Sequence, residues 1–192
     1  MTRRASILPN AEFLGLLDYV KEHSLFPERD RATLKLSFRA GLRAAEIGAL
    51  RWRDAFTPTG RFGKYLQVPG VKKSRGRSIV LHEDLRGALE ALWLRERPAG
   101  PDAPIIATRR DDKPCTPNNI ALGLWRLYQS AGLIGCSSHS GRRTFLTALG
   151  RQASQHGCSI KDVQIAAGHR YLESTEAYLE PSENLSSLIL SL

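Results

Sequence analysis

Residues 64–82, KYLQVPGVKKSRGRSIVLH, mark the place where the chain changes from helical to extended patterning. Two short strand-like runs, at about 65–70 and 77–81, flank the polar stretch KKSRG, and this pattern predicts a β-hairpin with a basic tip. On both sides of the hairpin, apolar residues recur at the spacing of amphipathic helices. The sequence therefore predicts an α+β fold, mostly α with a small antiparallel β-sheet.

Three helices are predicted before the hairpin. The first covers about 10–22 with Asn10 as its N-cap, and its apolar residues follow the i, i+3, i+4, i+7 pattern. The second covers about 30–40 and ends at Gly41, the residue type that most often follows a helix. The third begins in LRAAEIGALRW, which places Arg43 at its N-terminal edge.

The helical pattern returns after the hairpin. Residues 97–104, RPAGPDAP, have the composition of a loop. Thr116 and Pro117 have the order of an N-cap followed by proline at the first helical position. The predicted helices on this side cover about 83–96, 117–131, 140–153, 160–167 and 174–181.

The composition of the 192 residues indicates a basic protein of one main domain. Lys and Arg number 28 against 19 Asp and Glu, which gives a net charge of +9. This charge favours an acidic partner, chiefly nucleic acid or an anionic surface, although a basic protein without such a partner has the same composition. No apolar run is long enough for a signal peptide or a membrane span, so we expect no membrane partner. Three widely spaced cysteines indicate a reducing compartment, and the expected location is the cytoplasm.

Several segments combine cationic or proton-carrying side chains with predicted helix ends or loops. Arg43 and Glu46 are three residues apart on one helix face, and so are His139 and Arg142 if that helix begins near Ser140. The remaining members lie at the hairpin tip and near the C-terminal end: Lys72, Lys73, Arg75, Arg77, His169 and Tyr178.

These residue types suit chemistry at a phosphodiester. Arginine binds two phosphate oxygens at once and keeps its charge, so Arg43 and Arg142 are candidate phosphate ligands. A lysine or histidine can protonate a leaving alkoxide, and a tyrosine hydroxyl can form a covalent intermediate. The two histidines and two arginines are expected to supply the base or the positive field that such a tyrosine needs. Cys136, His139, His156 and Cys158 are also of metal-ligand type, but the spacing His156-x-Cys158 is too short for the usual pairs, and we expect no metal.

Taken in order, LRAAEIGALRW, the lysine hairpin, HSGRR and GHRYLESTEAY resemble the catalytic domain of the tyrosine site-specific recombinases, the phage-integrase family. The resemblance implies that Arg43 and Arg142 bind the phosphate and that Tyr178 is the nucleophile. It implies further that His139 is the first histidine of the H-x-x-R box, and that His169 occupies the second His/Trp position. Each short motif alone is more often a surface pair, a solvated turn or half-buried packing; their joint order favours function.

The same resemblance assigns the other candidates. Lys72 matches the hairpin lysine that protonates the leaving 5′-oxygen, because Arg77 follows it by five residues; Lys73 is a supporting residue. Glu46 occupies the acidic position that accompanies the first arginine. The candidate DNA-contacting arginines are Arg75, Arg77 and Arg143.

The family resemblance implies a DNA strand-transferase that works in recombination or integration, as in mobile genetic elements. Cleavage would leave a 3′-phosphotyrosyl link on Tyr178, with no metal, nucleotide or other cofactor. The implied partners are double-stranded DNA and a homo-oligomer assembled on it. Two alternatives stay open: a DNA-binding regulator on the same fold, and strand relaxation of the type IB topoisomerase kind.

The resemblance also divides the chain. Residues 1–182 correspond to the catalytic domain, and residues 183–192 form an apolar tail that is expected to pack at home or on a neighbouring protomer. No N-terminal core-binding domain is expected. Gly141 departs from the family pattern, where leucine is frequent, and a glycine in a first helical turn costs up to about 1 kcal/mol.

Overall fold

The computed structural model describes residues 5–71, 75–108 and 111–178, together with Leu190. Within these residues the fold is mostly helical with a two-stranded antiparallel sheet, which confirms the predicted class. The helices and strands are α1 Asn10–His23, α2 Pro27–Arg39, α3 Ala44–Ala49, β1 Tyr65–Val68, β2 Arg77–Val80, α4 Glu83–Glu96, α5 Pro117–Ser130, α6 Ser140–Ala153, α7 Ile160–Ala167 and α8 Glu173–Glu176. In the described part of the chain no helix has the length and apolarity to cross a membrane.

The core forms around α2, which is buried on nearly every side between Ala32 and Phe38. α1, α4 and α6 pack against it, and the ring of Phe13 from α1 stacks on Phe38 at 4.2 Å between centroids. This central position explains why α2 lacks a clear polar face, and it places the C-terminal end of α2 in the middle of the molecule.

Helix boundaries were predicted well where the sequence carries a cap. α4, α6 and α7 have the predicted bounds, and the Thr116 side chain accepts a hydrogen bond from the Asn119 amide at 3.2 Å, as expected for an N-cap. Asn10 was wrongly predicted as a cap: Pro9 holds that position and Asn10 is already helical. α2 begins at Pro27, three residues earlier than predicted, because proline suits the first helical position.

The sheet is shorter than predicted. Tyr65 pairs with Val80 and Val68 with Arg77, so the ladder ends before Pro69, which has no N–H to donate. Leu66 and Ile79 face the core from this sheet. The hairpin tip with Lys72 and Lys73 lies outside the described residues.

Gly141 is explained by the packing of α6 on α2. A Cβ atom at Gly141 would lie 2.4 Å from Ser37 Oγ and 2.8 Å from Phe38 Cδ2, so no side chain fits there. The glycine that weakens the helix locally thus allows two buried helices to approach closely.

Candidate functional site

Arg43 lies where α2 passes into α3. Gly41 has a φ of +62° and ends α2, as predicted, and Arg43 then occupies the N-cap position of α3. Its side chain is 28% exposed, so the guanidinium can be reached from outside. This turn brings the first candidate arginine to the surface next to the core.

Glu46 is the electrostatic centre of the site. It is fully buried and accepts hydrogen bonds from the Arg43 amide at 2.9 Å and from the Arg43 Nη1 at 3.2 Å. Arg77 donates to both of its carboxylate oxygens, at 2.8 and 3.2 Å. Burial alone would raise the pKa of Glu46, but the hydrogen bonds and charge of Arg77, with help from Arg43 and Arg142, lower that pKa to about 2. Glu46 is therefore ionised at neutral pH and partly neutralises the arginines around it.

Arg142, in the first turn of α6, is held from several sides. Its Nη1 donates to the Gly41 carbonyl at 2.5 Å, and its Nη2 donates to the Ala167 carbonyl at 2.8 Å. The same Nη2 lies 2.8 Å from His169 Nε2. Burial and the neighbouring Arg43 charge lower the pKa of Arg142 to about 10, so it stays protonated at neutral pH. Its Nε is buried and has no hydrogen-bond partner among the described residues, and only 2% of the side chain is exposed.

His169 and Tyr178 are brought together by a sharp helix end. α7 ends at Gly168, whose φ is +62° and where a Cβ would lie 2.6 Å from Arg77 Nη1, so both conformation and space demand glycine. His169 follows and is buried, with its ring stacked on that of Tyr178 at 5.7 Å between centroids. Residues nine positions apart are thus in direct contact, and His169 joins Tyr178 to Arg142.

The two histidines are neutral at pH 7. Burial and the charges of Arg142, Arg43 and Arg77 lower the pKa of His169 to about 4. Partial desolvation and the charges of Arg142 and Arg43 likewise lower the pKa of His139 below its usual 6.5, at an exposed position directly before α6. The lowered pKa values favour neutral rings, so the positive charge of the site comes chiefly from the arginines.

The three candidate DNA-contacting arginines lie in different environments. Arg75 is exposed. Arg143 is partly buried and donates to the Ala5 carbonyl at 2.7 Å. Arg77 has only 4% of its side chain exposed and uses its guanidinium on Glu46 and on the Ala166 carbonyl at 2.7 Å. All three nitrogens of the Arg77 guanidinium thus bind protein groups, and Arg77 joins the hairpin to α3 and α7.

Two features of the site were missed by sequence reasoning. Thr175 is fully buried, and its hydroxyl lies 2.9 Å from His169 Nδ1. Arg77 joins the hairpin to α3 and to the end of α7. The only signal for Thr175 was its place one helical turn before Tyr178, whereas the pairing of Arg77 spans 31 residues to Glu46. In the described part of the chain, no group of three or more His, Cys, Asp or Glu is arranged to hold a metal ion.

Comparison with known proteins gives a consistent picture. The model of the phage integrase family matches residues 7–184. The tyrosine recombinase XerC of Myxococcus xanthus is 29% identical over 187 residues, covering 91% of this chain and 57% of the relative.

Solved structures share the fold. The XerH site-specific recombinase bound to its difH substrate aligns with a TM-score of 0.74 at 22% identity, covering 100% of this chain and 56% of that one. A lambda integrase dimer bound to a COC' core site aligns with a TM-score of 0.68 at 19% identity, covering 94% of this chain and 49% of that one. The chain thus spans about half the length of the proteins it matches. Since the family match covers nearly all of its residues, the chain belongs to the phage integrase family.

Proposed function

We propose that this chain breaks and rejoins duplex DNA as a site-specific recombinase, with Tyr178 as the nucleophile. The observation that carries the proposal is the continuous contact from Arg142 through His169 to the ring of Tyr178. Arg43 is tied to the same cluster through Glu46. A phosphate bound here would meet two guanidinium groups beside a hydroxyl nucleophile.

The proposed step is a transesterification at phosphorus. The Tyr178 hydroxyl oxygen attacks the scissile phosphate, the bond from phosphorus to the 5′-oxygen breaks, and a 3′-phosphotyrosyl link and a free 5′-hydroxyl result. A 5′-hydroxyl of another strand then attacks the link and releases Tyr178. Because one phosphate ester replaces another at each step, the reaction needs no external energy source.

The charge of each side chain indicates its proposed role in the reaction. Negative charge grows on the non-bridging oxygens, where Arg43 and Arg142 lower the barrier because they are fixed in place and always protonated. His139 is neutral and exposed, so it is the candidate base for the Tyr178 proton. Lys72 is proposed as the donor of a proton to the leaving 5′-oxygen, with Lys73 in support; both lie outside the described residues.

The partners follow from the proposed reaction. XerH was solved on its difH substrate and lambda integrase as a dimer on a core site. By analogy we propose duplex DNA as substrate and a homo-oligomer assembled on it, with the catalytic domain in residues 1–182 and residues 183–192 packing on a neighbouring protomer. The cytoplasm is the proposed location.

The test is covalent trapping on DNA. The protein is incubated with nicked duplexes taken from the DNA around its own coding sequence, and products are separated in SDS. We expect an SDS-resistant protein–DNA band that is lost in Tyr178→Phe. Tyr171→Phe, which alters an exposed tyrosine seven residues earlier, serves as the matched control and should keep the band.

Other outcomes would change the assignment. Duplex binding without a band on any substrate would overturn strand transfer and indicate a DNA-binding regulator. A band accompanied by relaxation of supercoiled plasmid, but without exchange between two duplexes, would indicate a topoisomerase-like activity.

A further inference from the structure

Thr175 links two groups of the site. It lies in α8, one helical turn before Tyr178, and none of it is exposed to solvent. Its hydroxyl oxygen is 2.9 Å from Nδ1 of His169. A buried hydroxyl in the short helix just before Tyr178 therefore contacts the histidine on which the Tyr178 ring stacks.

The partner of the other ring nitrogen decides the direction of this hydrogen bond. Arg142 Nη2 lies 2.8 Å from His169 Nε2, and a guanidinium can only donate. Nε2 must therefore accept with its lone pair, and the single proton of the neutral ring must sit on Nδ1. From there it is donated to the Thr175 hydroxyl oxygen.

The other tautomer is disfavoured by this geometry. A proton on Nε2 would point at an N–H of Arg142, and Nδ1 would then need a donor in place of an acceptor. The charges of Arg142, Arg43 and Arg77, added to burial, keep the ring neutral by lowering its pKa to about 4. Arg142 at Nε2 thus selects the Nδ1–H form, and the Thr175 hydroxyl accepts the hydrogen bond from that form.

The same contact holds a short element in place. α8 has only four residues, Glu173–Glu176, and a single turn has little stability of its own. Among the described residues, a second side-chain hydrogen bond to this segment runs from the Thr147 hydroxyl to the Tyr178 carbonyl at 3.5 Å, which is long. The contact of the Thr175 hydroxyl with His169 is shorter, at 2.9 Å.

We propose that Thr175 is a positioning residue: its hydroxyl accepts the Nδ1–H of His169, holds the ring in place and thereby sets the place of Tyr178 relative to Arg142. The catalytic part of this inference rests on the proposed strand-transfer function, whereas the tautomer does not. A misplacement of about 1 Å at a reacting group can lower a rate about 100-fold. Loss of a single positioning hydroxyl can therefore change the rate of the covalent step by this factor.

The first measurement is the tautomer itself. In protein labelled with nitrogen-15 at histidine, long-range nitrogen–proton correlation spectra show which ring nitrogen of His169 carries the proton, and the His169→Phe variant assigns the signals. We expect the proton on Nδ1 in the unchanged protein. A proton on Nε2, or a mixture of both tautomers, would overturn the proposal without the use of any variant or DNA.

The second measurement compares variants in the trapping assay. Thr175→Val keeps the shape but removes the hydroxyl, and we expect single-turnover formation of the covalent complex to slow about 100-fold while DNA affinity is kept. Thr175→Ser should restore the rate, and Ser174→Ala, at the exposed neighbouring position, should not change it. An unchanged rate in Thr175→Val would refute the positioning role. If the unchanged protein forms no covalent complex, the proposed function fails and the tautomer measurement still decides the inference.

Discussion

Glu46 shows how one buried side chain organises several charged ones. Three arginines brought together would repel one another, and burial of each guanidinium is unfavourable unless it is paired. The carboxylate of Glu46 reduces the repulsion among the arginines and pairs their buried charges, because Arg43 and Arg77 bind it directly and Arg142 lies 3.8 Å away. The resulting cluster keeps Arg43 accessible while Arg142 and Arg77 are buried.

Replacement of Glu46 by glutamine tests this account. The variant leaves three arginines without a counter-charge, and we expect it to lose about 3 kcal/mol in the free energy of unfolding at pH 7. Chemical denaturation measures this loss. Glu22→Gln, at an exposed position near the end of α1, is the matched control and should change the stability by less than about 0.5 kcal/mol.

The acid dependence of stability gives an independent check. The pKa of Glu46 is about 2 in the folded protein against an ordinary 4.5, so its contribution is complete above pH 4.5 and is lost as the pH falls towards 2. At about 1.4 kcal/mol per pKa unit this contribution is about 3 kcal/mol. The Glu46→Gln variant should therefore show a flatter stability profile over this range; an equal slope in both proteins would contradict the assigned ion pairs.

The packing of α6 on α2 places the H-x-x-R segment. His139 is the N-cap of α6 and Arg142 lies in its first turn, and the close approach at Gly141 brings this turn against the end of α2. The Arg142 guanidinium can then reach the Gly41 carbonyl across the helix pair. The distance between two helices, set by one missing side chain, thus decides where the second arginine lies.

Alanine at Gly141 should push the two helices apart. Overpacking of a core costs about 1–3 kcal/mol, so we expect Gly141→Ala to lower the free energy of unfolding by about 2 kcal/mol despite alanine's better helix propensity. Gly87→Ala in α4 is the matched control, because nothing lies within 4 Å of its added Cβ, and it should stabilise the protein by about 1 kcal/mol. Equal effects of the two substitutions in thermal or chemical unfolding would show that Gly141 is not needed for space.

At the scale of the whole molecule, which has a net charge of +9, the arginines have two kinds of role. Some arginines are turned inward and hold elements together, as Arg77 joins β2 to α3 and to the end of α7. Others remain exposed, as Arg75 does in the loop of the same hairpin. Only the exposed group can release counterions when it meets a nucleic acid.

Arg75 and Arg77 should therefore behave differently when each is replaced by glutamine. Arg75→Gln is expected to reduce the slope of log affinity for duplex DNA against log salt by about 0.9, with little change in stability. Arg77→Gln is expected to lower the free energy of unfolding by about 3 kcal/mol, because Glu46 loses its strongest partner, and to leave the slope unchanged. Salt titrations of DNA binding measure the slopes, and denaturation curves of both variants measure the changes in stability. A reduced slope in Arg77→Gln would show that Arg77 contacts DNA.

Much of the fold and the residues of the candidate site could be predicted from the sequence. Local patterns predicted the fold class, the bounds of α4, α6 and α7, the Thr116 cap and the glycine after α2, because helical spacing and capping depend on neighbours in sequence. The order of the motifs also predicted the family. The predicted roles of the site residues, Lys72 and Lys73 included, and of the tail 183–192 remain predictions.

The sequence by itself thus determined which helices form and which residue types are available for phosphate chemistry. Only the tertiary structure decided where the side chains point: Arg77 turns inward to Glu46, His169 is neutral, and Thr175 faces the ring of His169. The physical reason is that burial, pairing and pKa depend on groups far away in sequence. The Arg77 contact with Ala166 spans 89 residues and that of Arg142 with Gly41 spans 101, so no local pattern records them.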